Sequence, residues 1–589
     1  MADELKTIET VDTSPFKHLV MTIGELPTSF VDSMTYYECL AWLVNYIQNT
    51  VIPAVNNNAE VSEELQGKFI ELSGQFDELQ SYVEHYFDNL DVQTEINNKL
   101  DAMVEDGTMA SLIDPILTEF EAEIRAEVDT IGDVSELETV NKNTIVDGVN
   151  CANENYCGLL REKYGNNYKP VNILENESFF TNNVVVYKDV HSNNYTAYCN
   201  LDAHKNTGGN DIFVDPSTDV PSGQQDGTEE KPYDKISTAY SHSANGDTIK
   251  LASGFYNRTN TGNFNLVKSV NIVAKDGEEN KVFCACCDAL VWSQNDTYTN
   301  VYQATRSNTR RIIDIRKRNE GIFAELPLAE SLEACSNTLN SCYISGNTIY
   351  ANIGEAVTND NIAALIQVES LFRIANSSAD TNVYFENITF LSGYSGFVSV
   401  TGSGAYDCMF TAKNCNFYYS YSTSNDALPI VGANSILYNC KACFADKDGF
   451  NYHASGDRYC KNIEINCVGA NNGAIGEVTT YNGSTTHQGN KILRINGVYF
   501  NNHGANVCDV GTGTLSINIG CKSFDSICAV SSAKADFNAQ QSGTTMKLYN
   551  CYSKGSRSRF NIYGVSGTTI DVYNCQYDRT GGEGTITIH

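Results

Sequence analysis

Basic residues are scarce in this 589-residue sequence, which has 39 Lys and Arg against 72 Asp and Glu and a net charge of −33. A protein that binds DNA or RNA needs a basic surface to neutralise phosphates, so the composition argues against nucleic-acid partners. Residues 1–150 contain 30 of the acidic and 6 of the basic residues, and therefore carry −24 of the net charge. The remainder is nearly neutral, which favours an uncharged or mixed polymer, such as a glycan, as its partner.

Long apolar runs are also missing. No segment approaches the roughly 20 apolar residues of a membrane span, so we expect no membrane insertion. The N-terminus, MADELKTIETVDTSPFKHL, has acids where a signal peptide would have bases, and no apolar segment follows it. We therefore expect synthesis in a cytoplasm without a signal peptide, where the 20 cysteines would be reduced and buried. CACC at Cys284–Cys287 has no second Cys/His pair at zinc spacing, and neither a metal nor a cofactor is predicted.

Proline and tryptophan are rare, with 10 and 2 copies, whereas 43 glycines and 34 tyrosines are typical of β structure with many turns. Residues 1–150 differ, because their apolar residues recur at helical spacing. One segment has the heptad spacing of a left-handed coiled coil, formed by Leu65, Phe69, Leu72, Phe76, Leu79, Val83, Tyr86 and Leu90. Its aromatic residues favour three strands, and the alternative is a monomeric helical bundle with the same apolar stripe.

From about residue 209 the pattern changes. The sequence predicts a strand at Ile212–Asp215, a short amphipathic helix from Ile236 to about Ser243, and a strand at Thr248–Leu251. This order resembles the opening of right-handed parallel β-helix proteins of the pectate-lyase-like class. In that class a short helix covers the exposed strand edge of the first coil, which would otherwise be open to aggregation.

A short phrase ending in cysteine (AKNC, LYNC, EINC, NIGC, LYNC, VYNC) recurs along the C-terminal half, at Cys415, Cys440, Cys467, Cys521, Cys551 and Cys575. The period of 24 to 30 residues suits one coil of a β-helix, and the single 54-residue gap fits two coils, with RINGVYF at Arg494–Phe500 in the missing one. Each cysteine is expected to pack inside. The predicted fold is mainly β: a helical virion-attachment and coiled-coil region at 1–150, a connecting unit at 151–208, and a right-handed parallel β-helix at 209–589.

Two regions carry a family resemblance. ELPTSFVDSMTYYECLAWLVNYIQNTVIPAVNNNAEVSEELQ resembles the virion-attachment regions of tail proteins from phages of Gram-positive bacteria. DGFNYH, IEINC and NGVYFNNHGANVCDVG are similar to segments in the bodies of phage tail spikes and preneck appendages. The resemblance implies a homotrimer in the virion tail, made in the host cytoplasm and attached to other tail proteins through its N-terminal region. Its β-helix would bind host capsule polysaccharide or teichoic acid and would depolymerise it if it is an enzyme.

One departure from these tail spikes concerns the C-terminus. Many of them end in a trimerisation or self-cleaving chaperone domain, whereas this sequence ends in VYNCQYDRTGGEGTITIH, which still has the pattern of a β-helix coil. Either the trimer is held by the coiled coil and by contacts between coils, or a further domain has been removed.

The stretch Asp446–Cys467, DKDGFNYHASGDRYCKNIEINC, is rich in acids, and three of the nine histidines lie within residues 453–503. Because coils repeat every 25 or so residues, loops one or two coils apart become neighbours, which predicts one functional face. The candidate catalytic residues are Asp448 and Asp509, as an acid–base pair, and His453 and His487, which would orient or contact the substrate. The candidate substrate-binding residues are Tyr452, Asp457 and His503.

The chemistry is left open by the residue types. Glycan hydrolysis needs two carboxyl groups, lyase chemistry needs a base with a neutralising cation, and teichoic-acid cleavage needs acids and histidines around a phosphodiester. The structural alternative is that these residues are polar turns, in a non-catalytic adhesion fibre or a purely structural tail component. FYYSYS at Phe417–Ser422 would stack on sugar rings or pack against another subunit. The basic cluster Arg310–Arg311 and Arg316–Lys317–Arg318 would form trimer salt bridges, the favoured prediction, or a phosphate-contact patch.

Overall fold

The computed structural model describes residues 168–589, apart from 175–176, 190, 192–193, 320, 368–369, 376–378, 394–395, 403–405, 422–425, 474–480 and 529–532. The chain divides into two compact units, residues 1–146 and 147–589. The predicted helical and coiled-coil region at 1–150, and the first part of the predicted connecting unit, lie outside the described residues. No helix among the described residues is long and apolar enough to span a membrane.

Three long parallel sheets form a right-handed β-solenoid of about 11 turns, as the sequence predicts. Sheet 1 has twelve strands: Asp211–Val214, Thr248–Leu251, Val270–Ala274, Thr381–Glu386, Cys408–Lys413, Asn434–Tyr438, Lys461–Ile465, Lys491–Ile495, Leu515–Ile519, Thr545–Tyr549, Thr569–Tyr573 and Thr585–Ile588. Sheet 2 has ten: Phe264–Leu266, Phe372–Ala375, Val398–Thr401, Leu428–Val431, Phe450–His453, Ser484–His487, Val507–Val510, Ala535–Gln540, Phe560–Gly564 and Thr580–Gly582. Sheet 3 has eight: Gly254–Tyr256, Val282–Ala285, Ile388–Leu391, Asn416–Tyr418, Lys441–Cys443, Val468–Ala470, Val498–Phe500 and Lys522–Phe524. Each full coil runs from sheet 2 through sheet 1 to sheet 3.

The corner between sheets 1 and 3 explains the recurring phrase that ends in cysteine. The residue before the cysteine position has a positive φ in eight successive coils, with values of 50° to 62°. Asparagine tolerates this left-handed conformation better than other residues with a Cβ, and it occupies seven of these corners, with glycine at the eighth: Asn387, Asn414, Asn439, Asn466, Asn496, Gly520, Asn550 and Asn574. Neighbouring amides bond from coil to coil, as Asn466 Nδ2 does to Asn439 Oδ1 at 3.1 Å.

The cysteines of this phrase point into the solenoid, as predicted. Five of the six are buried and the last, Cys575, is half-buried. The coil predicted at Arg494–Phe500 is present, with Gly497 in the place of the cysteine. A Cβ at Gly497 would lie 2.3 Å from the hydroxyl of Tyr499, so glycine makes room for that inward side chain.

The N-terminal end of the solenoid is closed by the helix Ile236–His242, which the sequence predicted to within one residue. Its buried residues Ile236, Ala239 and Tyr240 join the core of the first coils. A second short helix, Arg258–Thr261, begins after Asn257, whose side chain accepts from two backbone N–H groups. The free edge of the first strand of sheet 1 is covered by the segment 227–233, since the Phe213 N–H donates to the Gly227 carbonyl at 2.8 Å and the Phe213 carbonyl accepts from the Tyr233 N–H at 3.0 Å.

The described part of the connecting unit is a small antiparallel sheet, formed by Tyr168–Pro170, Val184–Asp189 and Tyr195–Cys199, with a helix at Ser178–Asn183 and a short 3₁₀ helix at Leu201–His204. It packs against the outer face of sheet 1, where outward positions of successive coils are apolar, as at Ile463, Leu493 and Ile517. An outward isoleucine or leucine would normally face water, so this stripe is explained by the unit that covers it.

Residues 286–367 are inserted between the strand Val282–Ala285 of sheet 3 and the strand Phe372–Ala375 of sheet 2. They form a four-stranded antiparallel sheet (Ser293–Gln294, Tyr302–Thr305, Ser341–Ser345, Thr348–Asn352), a three-stranded antiparallel sheet (Thr309–Asn319, Ile322–Glu325, Ile362–Ile366) and the helix Leu332–Asn337. We call this segment the inserted subdomain. Its three-stranded sheet packs on the outer face of sheet 3 through Ile313, Phe323 and Leu365.

Candidate functional site

Strand register in sheet 2 divides the candidate residues between two sides of the solenoid wall. Tyr452, Thr486 and Asp509 align in one column, and His487 and Val510 align in the next. Side chains alternate between the faces of a strand, so the first column points into the lumen and the second points outward. His453 follows Tyr452 and lies on the outer face with His487.

Inside the lumen, Asp509 is fully buried and forms a bidentate ion pair with Arg494, at 2.9 and 3.1 Å. Glu464 is also fully buried and accepts hydrogen bonds from the hydroxyls of Tyr452, at 2.9 Å, and Tyr499, at 2.5 Å. Asp509 and Tyr452 are therefore held in an internal polar network that a polymer outside the solenoid does not reach. The sequence-based hypothesis pairs Asp509 with Asp448, whereas the structure places them on opposite sides of the wall.

Outside the wall, the loops between sheets 3 and 2 bring together two carboxylates and an amine. Lys447 Nζ lies 3.1 Å from Asp426 Oδ1, in the loop one coil earlier. Asp448 Oδ1 accepts from the backbone N–H of Asn482 at 2.5 Å and from its Nδ2 at 3.3 Å, and Oδ2 accepts from Asn451 Nδ2 at 3.1 Å. We call Asp426, Lys447 and Asp448 the carboxylate cluster.

The two carboxyl groups of the cluster differ in their electrostatic surroundings. Burial and, second, the charge of Asp426 raise the pKa of Asp448 to about 8, despite the amide bonds that lower it. The ammonium group of Lys447 is paired with Asp426, and its charge also lowers the pKa of Asp448, though less than burial and Asp426 raise it. At neutral pH the Asp448 carboxyl is therefore protonated. A protonated carboxyl with a second, ion-paired carboxyl group one coil away is an arrangement suited to general acid–base chemistry.

His453 and His487 stack face to face next to the cluster, with ring centroids 4.1 Å apart and planes 10° from parallel. Burial lowers the pKa of both, and that of His487 to about 3. Asp426 and Lys447 both contribute to the pKa of His453. Both rings are therefore neutral at physiological pH, and they offer a flat surface and ring nitrogens rather than charge.

A column of polar side chains on the outer face of sheet 2 continues the cluster: Asn451, Thr485, Cys508 and Asn538 align across four coils. All four are at least 98% buried. Within the described residues Asn451 Oδ1, Thr485 Oγ1 and both amide atoms of Asn538 have no hydrogen-bond partner. Buried polar atoms are normally satisfied, so these atoms are suited to bonds with ordered water, whereas a polymer outside the solenoid does not reach them.

The other two candidate residues lie elsewhere. Asp457 is exposed in the loop between sheets 2 and 1. His503 lies in a loop between sheets 3 and 2, half-buried beside Gly473, and burial lowers its pKa. Sequence reasoning brought Asp448, His453 and His487 to one face but missed Asp426, Lys447 and Asn482. These residues lie in loops of different length between sheets 3 and 2, so aligning the coils on their cysteines does not bring them into register.

The aromatic segment and the basic cluster mainly contact other residues of the same chain. Phe417, Tyr418 and Tyr419 are buried, the last with its hydroxyl donating to the Phe323 carbonyl of the inserted subdomain at 3.0 Å. Arg311 is bound to Glu325 and Asp446 at 3.1 and 3.0 Å. Other members of the basic cluster pair with Asp314, so most of these cations already have acidic partners in the same chain.

Comparisons with known proteins give no family and no curated relative, since no family model and no curated sequence matches. Among solved structures, a glycoside hydrolase is 10% identical, with 64% of this chain and 96% of the other covered and a TM-score of 0.38. The pectate lyase Pel9A is 13% identical, with 63% and 80% covered and a TM-score of 0.28. The Gp54 tailspike of Acinetobacter baumannii bacteriophage AP22, solved with A. baumannii capsular saccharide, is 9% identical, with 58% and 66% covered and a TM-score of 0.25. Likenesses this weak carry no argument about function, which has to come from this chain's own residues.

Proposed function

We propose that the chain binds a cell-surface polysaccharide along the outer face of sheet 2 and hydrolyses it at the carboxylate cluster. The observation that carries the proposal is the pairing of a buried carboxyl whose pKa is raised to about 8 with an ion-paired carboxylate one coil away. Glycoside hydrolysis uses one carboxyl as an acid and another as a base or nucleophile. The partly exposed pair His453 and His487 beside the cluster supplies a flat surface and ring nitrogens for a sugar ring.

In the proposed mechanism, Asp448 gives its proton to the oxygen of the leaving sugar. Asp426, which is ion-paired with Lys447, acts on the opposite side as the base for a water molecule or as the nucleophile. Asn482 and Asn451 fix the Asp448 carboxyl by hydrogen bonds. The neutral histidine pair orients a sugar ring through contact and hydrogen bonding rather than by proton transfer.

The biological part of the proposal follows the sequence resemblance. The chain would act as a tail spike or appendage in a phage virion, as a homotrimer attached to other tail proteins through residues 1–150. Its polymer would be the capsule polysaccharide or teichoic acid of a Gram-positive host. Light scattering on the full-length protein should then give three times the chain mass of 64.7 kDa, and a monomer mass would contradict the trimer.

The activity is tested by incubating purified protein with capsule and cell-wall fractions from candidate hosts and measuring released fragments by size-exclusion chromatography. Asp448→Asn and Asp426→Asn should each lower the rate at least about 100-fold, the usual effect of losing a general acid or base. Asp571→Asn, on the outer face of sheet 1, is the matched control and should leave the rate unchanged. Equal activity of all four proteins would refute the site.

A non-catalytic receptor-binding fibre is the second candidate function. The observation that favours it is the 4% exposure of Asp448, whose two carboxyl oxygens are already held by three amide hydrogen bonds. Such a fibre would bind the same fractions without releasing fragments, and Asp448→Asn would leave that binding intact. The fragment assay and a parallel binding assay separate the two candidates.

A further inference from the structure

A β-bulge in the strand Thr309–Asn319 of the inserted subdomain changes the direction of the Arg310 side chain. In the pairing of Thr309–Asn319 with Ile362–Ile366, Thr309 is opposite Ile366 and Arg311 is opposite Leu365, so Arg310 has no partner in the register. A regular strand sends consecutive side chains to opposite faces, whereas a bulge re-aims one of them. The guanidinium of Arg310 lies over the ring of Tyr421 at 5.0 Å, and that of Arg311 over Tyr419 at 5.6 Å. Both arginines thus reach the same short segment after sheet 3.

Arg310 and Arg311 differ in whether an acidic side chain is paired with them. Arg311 is bound by Glu325 and Asp446. Arg310 is exposed, and no carboxylate within the described part of the chain pairs with it. Arg316, also in this strand, is paired with Asp314 and Glu355. Arg310 is therefore a cation held in place by an aromatic ring but not neutralised by an acid.

A pocket of about 250 Å³ lies beside this guanidinium. Arg310, Arg311 and Glu325 form its charged side, with Glu325 paired to Arg311, and Ile312, Leu326 and Pro327 belong to its apolar side. The pocket is linked to the carboxylate cluster by the ion pair from Arg311 to Asp446, the residue before Lys447. A polymer lying across the cluster would extend toward it.

We propose that Arg310, held over Tyr421, forms a subsite for an anionic group of the bound polymer, either a sugar carboxylate or a phosphate. The proposal rests on the proposed function and adds a substrate class to it: an acidic polysaccharide or a phosphate-containing polymer. A guanidinium binds either oxyanion through two parallel N–H···O bonds, and stacking on an aromatic ring fixes its plane before the ligand arrives. The apolar side of the pocket fits the carbon face of a sugar or the glycerol chain of a phosphodiester.

The test measures binding of defined probes to the full-length protein in the Asp448→Asn background, so that cleavage does not interfere. The probes are a galacturonate oligomer, its methyl ester with the same rings but no charge, and a glycerol phosphate oligomer, followed by ligand-observed NMR. Arg310→Gln should weaken the charged probe that binds by about 10- to 100-fold, the effect of losing a charge-assisted hydrogen bond. The methyl ester should be unaffected, and Arg316→Gln is the matched control because that arginine already has acidic partners.

Each outcome is informative. The parent protein should bind either the galacturonate oligomer or the glycerol phosphate oligomer more tightly, and only Arg310→Gln should lose this preference. The preferred oligomer then identifies the source of the anion. Equal binding of the galacturonate oligomer and its ester, equal effects of Arg310→Gln and Arg316→Gln, or no binding of either charged probe would overturn the subsite. The hydrolase is tested separately, by fragment release with Asp448→Asn. The binding test can therefore refute the Arg310 subsite without refuting the cleavage site, and the fragment assay can refute the cleavage site without refuting the subsite.

Discussion

Replacing Arg494 by methionine tests whether the polar network in the lumen is held by charge. Arg494 and its two carboxylate neighbours, Asp509 and Glu464, are all fully buried, so their charges are hardly screened by solvent. The variant would leave two buried carboxylates without a cation. Removing one partner of a buried ion pair costs about 3–5 kcal/mol. Hydrogen exchange of the surrounding strands should therefore become faster by a factor of about 100 to several thousand, at 1.4 kcal/mol per tenfold change.

The control for this experiment lies on the same strand. Lys491 forms a partly exposed ion pair with Glu177 of the connecting unit. Lys491→Met should cost no more than about 1 kcal/mol, as surface pairs do. Arg494→Met should also be less stable at pH 8 than at pH 5, because an unpaired buried carboxyl has a raised pKa and folding then takes up a proton.

A third variant separates charge from packing. Arg494→Met combined with Asp509→Leu removes both members of the bidentate pair, so part of the lost stability should return. Equal exchange rates in Arg494→Met and Lys491→Met would refute the reasoning. A double variant as unstable as the sum of its single changes would also contradict it, because the loss would then come from packing alone.

Three further predictions concern the corner and the cluster. Asn466→Ala should lower the free energy of unfolding by about 1–2 kcal/mol, because the residue has φ of 53° and its amide donates to Asn439. Asn466→Gly should cost less, because glycine adopts a positive φ without strain. Equal losses of stability for the two variants in urea denaturation would contradict the conformational argument. The hydrolysis rate should fall as pH rises through about 8, where Asp448 loses its proton. Asp426→Asn should move the Asp448 pKa downward in an NMR titration of the carboxyl carbon, since the neighbouring charge contributes to raising it, and an unchanged titration would contradict the coupling.

The solenoid could be predicted from sequence because its information is periodic. The cysteine phrase repeats once per coil, and strand Thr248–Leu251 and helix Ile236–His242 follow local patterns. The inward position of Asp509 was also within reach, since aligning FNYH, STTH and VCDV puts it in the column of Tyr452 rather than that of His453. The register between these strands, and not the residue types, was needed to place Asp509 in the lumen.

The carboxylate cluster could not be derived in the same way. Asp426 and Lys447 meet because two loops of different length fold back over the same face, and nothing in their local sequence fixes that contact. The inserted subdomain adds a second difficulty. It covers Tyr418 and Tyr419, which the sequence presents as available to sugars or to another subunit, and its effect depends on more than 80 residues placed far earlier in the chain.

The docking of the connecting unit has a consequence for synthesis. Glu177 bonds to Lys491, and the Tyr195 carbonyl accepts from Asn496, contacts that span 314 and 301 residues. During translation the unit is made first, while the apolar stripe that receives it does not yet exist. At about 5–20 residues per second it waits roughly 15–60 s with its apolar face uncovered. That interval is when this segment is most open to chaperones, to proteases and to wrong partners.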